Sequence, residues 1–584
     1  MKKSLLMTTA LVAAFSATNV CAEDWTISSK ETITDELISR DNVTVATGGD
    51  IIISGNNSGI ISNGNFTMED GSLTASSNGG SADTGVFVRG ENSSVTIKNG
   101  TINLTEARIA KGEEDTDTTG DVNISGGKIT LNNQAYIEMY DTNTGSVNLS
   151  GGELNINDNS GILLDGANNF TMTGGTLTAT SNGNSADTGV FVKGDGADVN
   201  IQGGDINLTD SRIYKGNDTA TSGDINISGG NITLNKNAYI EMRKENTGNV
   251  NMTGGKLVMN ENSGLLLNTN DNQEIDGNAI KFIVNGDDAT IIANGNNQIS
   301  GDIDFTKGTI TVANGASLTS GDIAMNSENT KIDLSGKLDT NVSGSGNLCF
   351  KNSAANISGN VTGSNLTFEA DHSLSKAIGG TISNITALNV RKGTLTYDKD
   401  TGSIGNVSVA GGAGLDIGTN KLTATTVGFA DNSTLGLKVA SADNYGQINA
   451  NTINIGNDTT MKVTLDSGVV ANGETKDFNF LQGTVTGDFT NKIADNNRYD
   501  ISFEDGSFKI TGTASASDVV ADAGGSATNA ATAEAWDTLT SSSTASPKAK
   551  AVASVLSDLS QSNEQAYVAA LTAVAPEVAP MVQK

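Results

Sequence analysis

Cysteine is nearly absent from this chain. There are two in 584 residues, Cys21 and Cys349, and Cys21 lies in a leader-like opening stretch. One remaining thiol cannot form an internal disulfide, so the stapling common in secreted proteins is excluded and a large core must supply stability. Proline is also missing where it matters. The three prolines, Pro547, Pro576 and Pro580, all lie near the C-terminus. Average usage of about 5% would put roughly two dozen in the first 546 residues. Proline removes a donor from a strand ladder, so a long region without it points to nearly unbroken strand pairing. Basic residues are short as well: 35 against 66 acidic, a net charge of −31. Loss of the leader with Lys2 and Lys3 leaves 33 against 66, or −33. That argues against nucleic acid or an anionic membrane as partner and favours solubility. No stretch after the leader reaches the roughly 18 apolar residues of a membrane helix.

What the chain has in quantity is glycine, 69 residues, with abundant Asn, Thr and Ser. These suit tight turns and stacked polar side chains. Met1-Lys-Lys, an apolar run over 5–17 and Val20-Cys21-Ala22 make a secretory leader, with cleavage expected between Ala22 and Glu23. A lipid-anchored reading at Cys21 is disfavoured by Val20, where such sites carry Gly, Ala or Ser.

One ten-residue phrase recurs: Val122-Asn-Ile-Ser-Gly-Gly-Lys-Ile-Thr-Leu131. It returns at 66–75, 95–104, 147–156, 170–179, 199–208, 225–234 and 250–259, with its last glycine at Gly71, Gly100, Gly127, Gly152, Gly175, Gly204, Gly230 and Gly255. The gaps are 29, 27, 25, 23, 29, 26 and 25 residues. A period in this range, built of alternating runs, marks a β-solenoid. A third run lies between phrases, as Gly85-Val-Phe-Val-Arg89, Ala107-Arg-Ile-Ala-Lys111, Ala135-Tyr-Ile-Glu-Met139 and Gly161-Ile-Leu-Leu-Asp165, then again at 189–193, 211–215, 238–242 and 264–268. Residues 58–160 match 160–263 almost phrase for phrase, a tandem duplication in whole coils. The fold class expected is all-β: a parallel β-helix with three strands per coil, about 26 residues per coil, and a short Ala-rich helical C-terminal tail.

The chain then reads as a leader (1–22), an N-terminal cap and first coils (23–57), regular coils (58–270), looser coils (271–430), a C-terminal β segment with longer strands and more aromatics (431–512), and an Ala-rich helical linker (513–584). The segment with Asp431-Asn-Ser-Thr-Leu435, Tyr445-Gly-Gln-Ile448, 462–465 and Phe478-Asn-Phe480 resembles the folding (autochaperone) region of autotransporter passengers, the type V secretion proteins of Gram-negative bacteria. The tail through Ala566-Tyr-Val-Ala-Ala-Leu-Thr-Ala-Val-Ala-Pro576 is similar to the stretch that leads into their translocator barrel. The resemblance implies a passenger at the outer membrane or cell surface, or released, with an outer-membrane β-barrel translocator as one partner and an unidentified host or bacterial surface ligand as the other. It implies adhesion or aggregation without catalysis, and no cofactor. The sequence departs from the family in ending at Lys584, before any barrel, so the expectation is a fragment.

Four motifs invite chemistry. Asp466-Ser467-Gly468 with the lone His372 resembles a serine-protease pair. Leu465 stands where such proteases carry Gly, so we read a turn between strands and a loop histidine. Gly411-Gly-Ala-Gly-Leu-Asp-Ile417 resembles one calcium-binding nonapeptide, but such sites need tandem copies. Lys193-Gly-Asp195 is an integrin-like tripeptide expected by chance in an acidic, Gly-rich chain. A pectinase-like carbohydrate enzyme would place an acid pair on one outer face. Here most acids sit at turns, as Asp121, Asp224 and Asp302 do.

A surface is the better candidate. Alternation through the third run, with Phe87, Ile109, Ile137, Leu163, Phe191, Ile213, Ile240 and Leu266 taken as inward, puts the flanking positions outward. The candidate interaction face is then Val86, Val88, Arg108, Tyr136, Glu138, Ile162, Leu164, Val190, Val192, Arg212, Tyr214, Tyr239, Glu241, Leu265 and Leu267. Apolar residues beside Arg and Tyr have the composition of an interface. The competing reading is that long polar loops, such as 76–84, fold over this face.

Overall fold

The Gly-Gly of each phrase turns the chain where a side chain has no room. In the computed structural model Gly127 and Gly152 both have φ of +78°, and a Cβ on Gly152 would come within 2.7 Å of the Gly127 carbonyl oxygen in the coil before. Only glycine meets both demands. The next turn solves the same problem differently. Pairs such as Asn133-Gln134 and Asp158-Asn159 take positive φ, a conformation that Asn and Asp tolerate better than most residues.

The structure describes residues 23–77, 84–113, 116–182, 187–217, 219–270, 280–466, 469–494, 496, 498–504, 506–540 and 544–574. The leader reading, including Ala22, lies outside them, while Glu23 opens them. The chain is a parallel β-helix with a helical C-terminal tail, in two units, residues 1–224 and 225–584.

In the first unit each coil carries three short strands, such as Val122–Ile124, Lys128–Asn132 and Tyr136–Met139. Every strand pairs in parallel register with its equivalent in the next coil. Val95, Val122, Val147 and Phe170 stand in one column, and Ile102, Ile129, Leu154 and Leu177 in another, all fully buried. Outward positions stack too: Asn148 donates to Asn123, and Asn157 to Asn132, both at 2.9 Å. The turn acids have a structural task. Asp121 Oδ1 accepts the Ser146 N–H at 2.8 Å, Asn169 Oδ1 that of Asp198 at 2.7 Å, and Asp198 Oδ1 that of Asp224 at 2.7 Å. Each side chain thus clasps the backbone of the following coil.

Two interior positions were not anticipated. Lys111 and Lys215 stand in the inward column of the third strands, beside Val88 and Val192, with no exposed surface. Their amines donate to the carbonyls of Gly90 at 3.2 Å and Gly194 at 3.0 Å. Burial pulls both pKa values down from 10.5 to about 8.

The second unit is itself a parallel ladder, with changed coils. A 12-residue strand, Phe282–Ala293, and then Ile303–Val312 run through two faces at once. The register pairs Ile303 with Ile323, then Val342, Val361 and Ile382, so one turn here takes only 19 to 21 residues. These turns are shorter than the roughly 26 residues expected per coil. Cys349 is a free, buried thiol. His372 is not a loop residue. It lies on strand His372–Ser373, mostly buried, with its Nε2 at 2.8 Å from the Ala355 carbonyl and its ring edge-on to Phe350 and Phe368.

Beyond the last coils an antiparallel sheet forms from Thr475–Asn479, Tyr499–Glu504 and Ser507–Gly512, with Phe478 stacked on Phe508. Four helices follow, Ala516–Asp522, Ala527–Thr540, Pro547–Ser562 and Glu564–Val574. Pro547 opens its helix at the position where a missing N–H does no harm. The helices share a small core around Val520, Leu556 and Tyr567, and Asp537 grips the buried Arg498 through two bonds of 2.8 Å. The tail is therefore packed, not a bare linker.

Two predictions follow from the packing. Ile124→Asp, at an inward position 1% exposed, should cost about 3–5 kcal/mol of stability. Asn123→Asp beside it should cost less than about 0.5 kcal/mol. Urea denaturation of both variants checks this, and equal losses would mean the faces are reversed. The lysines give a pH signature. Their folded pKa lies below the unfolded value, so the unfolded chain binds more protons between pH 8 and 10.5. Stability should rise across that window and be flat below it. Lys111→Met with Lys215→Met should be the more stable at pH 7, by on the order of 3 kcal/mol per site, and should lack that rise. Parallel melting curves at pH 7 and 9.5 measure the difference.

Candidate functional site

The register of the third strands decides what faces outward. Arg108 stands opposite Gly85 on one side and Tyr136 on the other, and Tyr136 stands opposite Gly161. Val86, Ile109, Ile137 and Ile162 therefore form one inward column, and Val88, Lys111, Met139 and Leu164 another. Val190 and Val192 match Ile213 and Lys215. In the second unit Leu265 and Leu267 match Ile240 and Met242. Val86, Val88, Ile162, Leu164, Val190, Val192, Leu265 and Leu267 are thus core residues with no exposed surface, and they leave the candidate face. Phe87, Leu163, Phe191 and Leu266, expected inward, point outward. The sequence alignment matched Gly85 with Ala107 because both are small. In space Ala107 matches Thr84, one residue earlier.

The remaining members, Arg108, Tyr136, Glu138, Arg212, Tyr214, Tyr239 and Glu241, do point outward. Most are covered all the same: Arg212 is 5% exposed, Tyr214 7%, Glu138 7% and Glu241 1%. Phe191 lays its ring over Gly161 and meets Tyr214 at 6.1 Å between centroids. Thr84 and Thr188, which precede the strands Gly85–Val88 and Gly189–Val192, are buried as well. The broad exposed apolar face is not there.

What stays partly accessible in the first unit is an edge of Tyr136, Tyr140, Asp165 and Lys193, beside the covered Arg108–Glu138 pair. The backbone ladder runs one residue past the strands, with Tyr140 N–H on the Lys111 carbonyl, Asp165 N–H on Met139 and Lys193 N–H on Leu164. Tyr140, Asp165 and Lys193 therefore align as a further outward column. Arg108 Nη1 meets Glu138 Oε2 at 2.5 Å, and Lys193 Nζ meets Asp165 Oδ1 at 3.3 Å. Burial raises the Glu138 pKa, the Arg108 charge opposes the rise, and Asp165 adds to it. Burial also raises Tyr140, with Glu138 adding and Arg108 opposing. Tyr136 is raised by burial and by Asp187, and its hydroxyl donates to the Asn159 carbonyl at 2.8 Å. All three tyrosines of residues 23–224 lie on this face, Tyr136, Tyr140 and Tyr214, in a chain with only eight. The strip offers ring faces, carboxylates and paired cations to a ligand.

The other motifs are occupied structurally. Asp466 pairs with Lys438 at 2.8 Å, while Ser467 and Gly468 lie outside the described residues. Lys193 is held by Asp165, and Asp195 accepts both the N–H and the hydroxyl of Ser222. Asp416 in the nonapeptide accepts the Gly418 N–H at 2.9 Å. Among the described residues no group of three or more His, Cys, Asp or Glu is arranged to hold a metal. Comparison with protein-family profiles, curated proteins and solved structures finds no match for this chain.

The Arg108–Glu138 pair, with side chains 12% and 9% exposed, makes the prediction for this face. Arg108→Met alone should strand the Glu138 carboxylate and cost about 3–5 kcal/mol, whereas Arg108→Met with Glu138→Met should fall within about 1 kcal/mol of the parent. Denaturant titration of the double-mutant cycle measures the coupling. Additive losses would mean that the two side chains do not act as a pair.

Proposed function

We propose that this protein is the exported passenger of an autotransporter, a non-enzymatic β-helix that presents a binding face at the cell surface or outside the cell. Its role on this reading is adhesion or aggregation. Its partners are an outer-membrane barrel that carries it across and a ligand on a host or bacterial surface. The observation that carries the reading is the stack of duplicated coils with tyrosines and ion pairs gathered on one outer face. Whole-coil duplication extends a surface without inventing a new core. The leader and the aromatic C-terminal coils agree with export and with a stable segment from which folding propagates.

One observation favours a second reading, a carbohydrate-cleaving enzyme. Glu138 and Asp165 lie in neighbouring coils within electrostatic reach, beside Arg108 and Lys193. Two carboxyls in unlike environments are the usual equipment of a glycosidase.

The chain should be fused to a heterologous autotransporter barrel and displayed on otherwise non-adherent cells. We expect display by surface immunolabelling, together with adherence to epithelial cells or autoaggregation well above a barrel-only control. Efficient display with neither property would overturn the adhesive reading. Purified protein should release no reducing ends from mixed polysaccharides, and release abolished by Glu138→Gln would favour the enzyme.

A further inference from the structure

The strip in the first unit asks for a ligand of its own. Exposed ion pairs contribute little to stability, and a mostly buried pair such as Arg108–Glu138 can be matched by apolar residues of similar size. Stability therefore does not explain why these groups are gathered here. Row by row the outward residues are Arg108 and Ala110, then Tyr136, Glu138 and Tyr140, then Gly161, Leu163 and Asp165, then Gly189, Phe191 and Lys193. One coil thus carries two partly exposed tyrosines on either side of a carboxylate. The next two coils add Asp165 and Lys193 at the same edge.

We infer that Tyr136, Tyr140, Asp165 and Lys193, backed by the covered Arg108–Glu138 pair, form a binding subsite for a neutral oligosaccharide. Tyrosine rings offer the apolar, electron-rich face on which the C–H side of a pyranose packs. The partly exposed Asp165 carboxylate accepts hydrogen bonds from neighbouring sugar hydroxyls, and such charge-assisted bonds are the stronger kind. Arg108 holds Glu138 in place and Lys193 holds Asp165, so both carboxylates are oriented before a ligand arrives. The same pairing sets the selectivity. Arg108 and Lys193 already face carboxylates, so an incoming uronate or sulfate would meet Glu138 and Asp165, on a chain of net charge −31. A sugar without charge meets no such repulsion. The second copy lacks the arrangement: Asn268 stands where Asp165 does in the duplication, and Glu241 is sealed against Thr269 Oγ1 at 2.9 Å.

The proposal names the ligand class of the face read above as adhesive, and it is tested apart from adhesion. The mature chain, purified, is titrated calorimetrically with cellohexaose, maltohexaose and mannohexaose, and with hexagalacturonate as the acidic counterpart. At least one neutral hexasaccharide should bind. Tyr136→Ala and Asp165→Asn should each weaken it by about tenfold or more, and Tyr140→Phe, which keeps the ring, by less than about threefold. Circular dichroism confirms that each variant is folded, and Lys256→Ala, exposed on the strand Lys256–Met259 and outside the candidate face, should bind as the parent does. No heat from any neutral sugar at millimolar concentration would overturn the proposal. So would stronger binding of hexagalacturonate, or parent-like affinity in folded Tyr136→Ala. Loss of the sugar result with adhesion intact would remove this subsite and leave the adhesive reading standing.

Discussion

The structure depends on one constraint: each strand of the β-helix coils pairs in parallel, in register, with its equivalent one coil away. Neighbouring strands lie about 4.8 Å apart, so whatever a coil places inward or outward must fit against the same position in the next coil. The first 546 residues contain no proline, which would leave a gap in the ladder. Gly127 and Gly152 sit where backbones approach too closely for a Cβ. The excess of turn acids has the same origin, since Asp121 and Asp198 each take the backbone N–H of the following coil. Part of the negative charge thus serves coil-to-coil clasping.

The same constraint explains the interior lysines. Lys111 occupies an inward place between Val88 and Met139, and duplication copied it as Lys215 at the same place. A coil that is copied whole brings its unfavourable positions with it. Each amine finds one carbonyl in the coil before, enough to hold it inside but not enough to keep its ordinary basicity. On the outer side, copying whole coils lets a face gain side chains without disturbing the core. Row by row the copies then diverge, as Asp165 and Asn268 have.

The fold was legible because glycine and alternation report backbone geometry directly. All eight glycines picked from the phrase have positive φ. The third strand was misread because it contains two kinds of small residue. Ser58, Thr84, Ala107, Ala135, Ser160, Thr188 and Ser211 form a fully buried inward column just before the strand in the first unit, and Ala238 and Ser263 are the buried equivalents in the second. Gly59, Gly85, Gly161, Gly189 and Gly264 are outward positions one residue later. Aligning Gly85 with Ala107 shifted half of the coils by one and turned their faces over, because strand side chains have a period of two. The Ser/Thr/Ala column was present in the sequence and would have corrected the register. It would also have placed Lys111 inside and brought Tyr140 and Asp165 onto the face. Coverage of the face was not legible, since it depends on what lies over the strands. Nor could the pairing of Lys193 with Asp165 be read, since their separation of 28 residues is meaningful only once the coil length is known.

Cysteine pairs in the third strands test this register most directly. In a Cys349→Ser background, Val86→Cys with Ile109→Cys places two inward residues directly opposite in neighbouring coils, with Cα atoms about 4.8 Å apart and inside disulfide range. Phe87→Cys with Ile109→Cys places one outward and one inward. The register predicts that the first pair closes a disulfide on folding under oxidising conditions, seen by mass spectrometry of a non-reduced digest, and that the second stays reduced. Closure of the second pair with the first left open would contradict it.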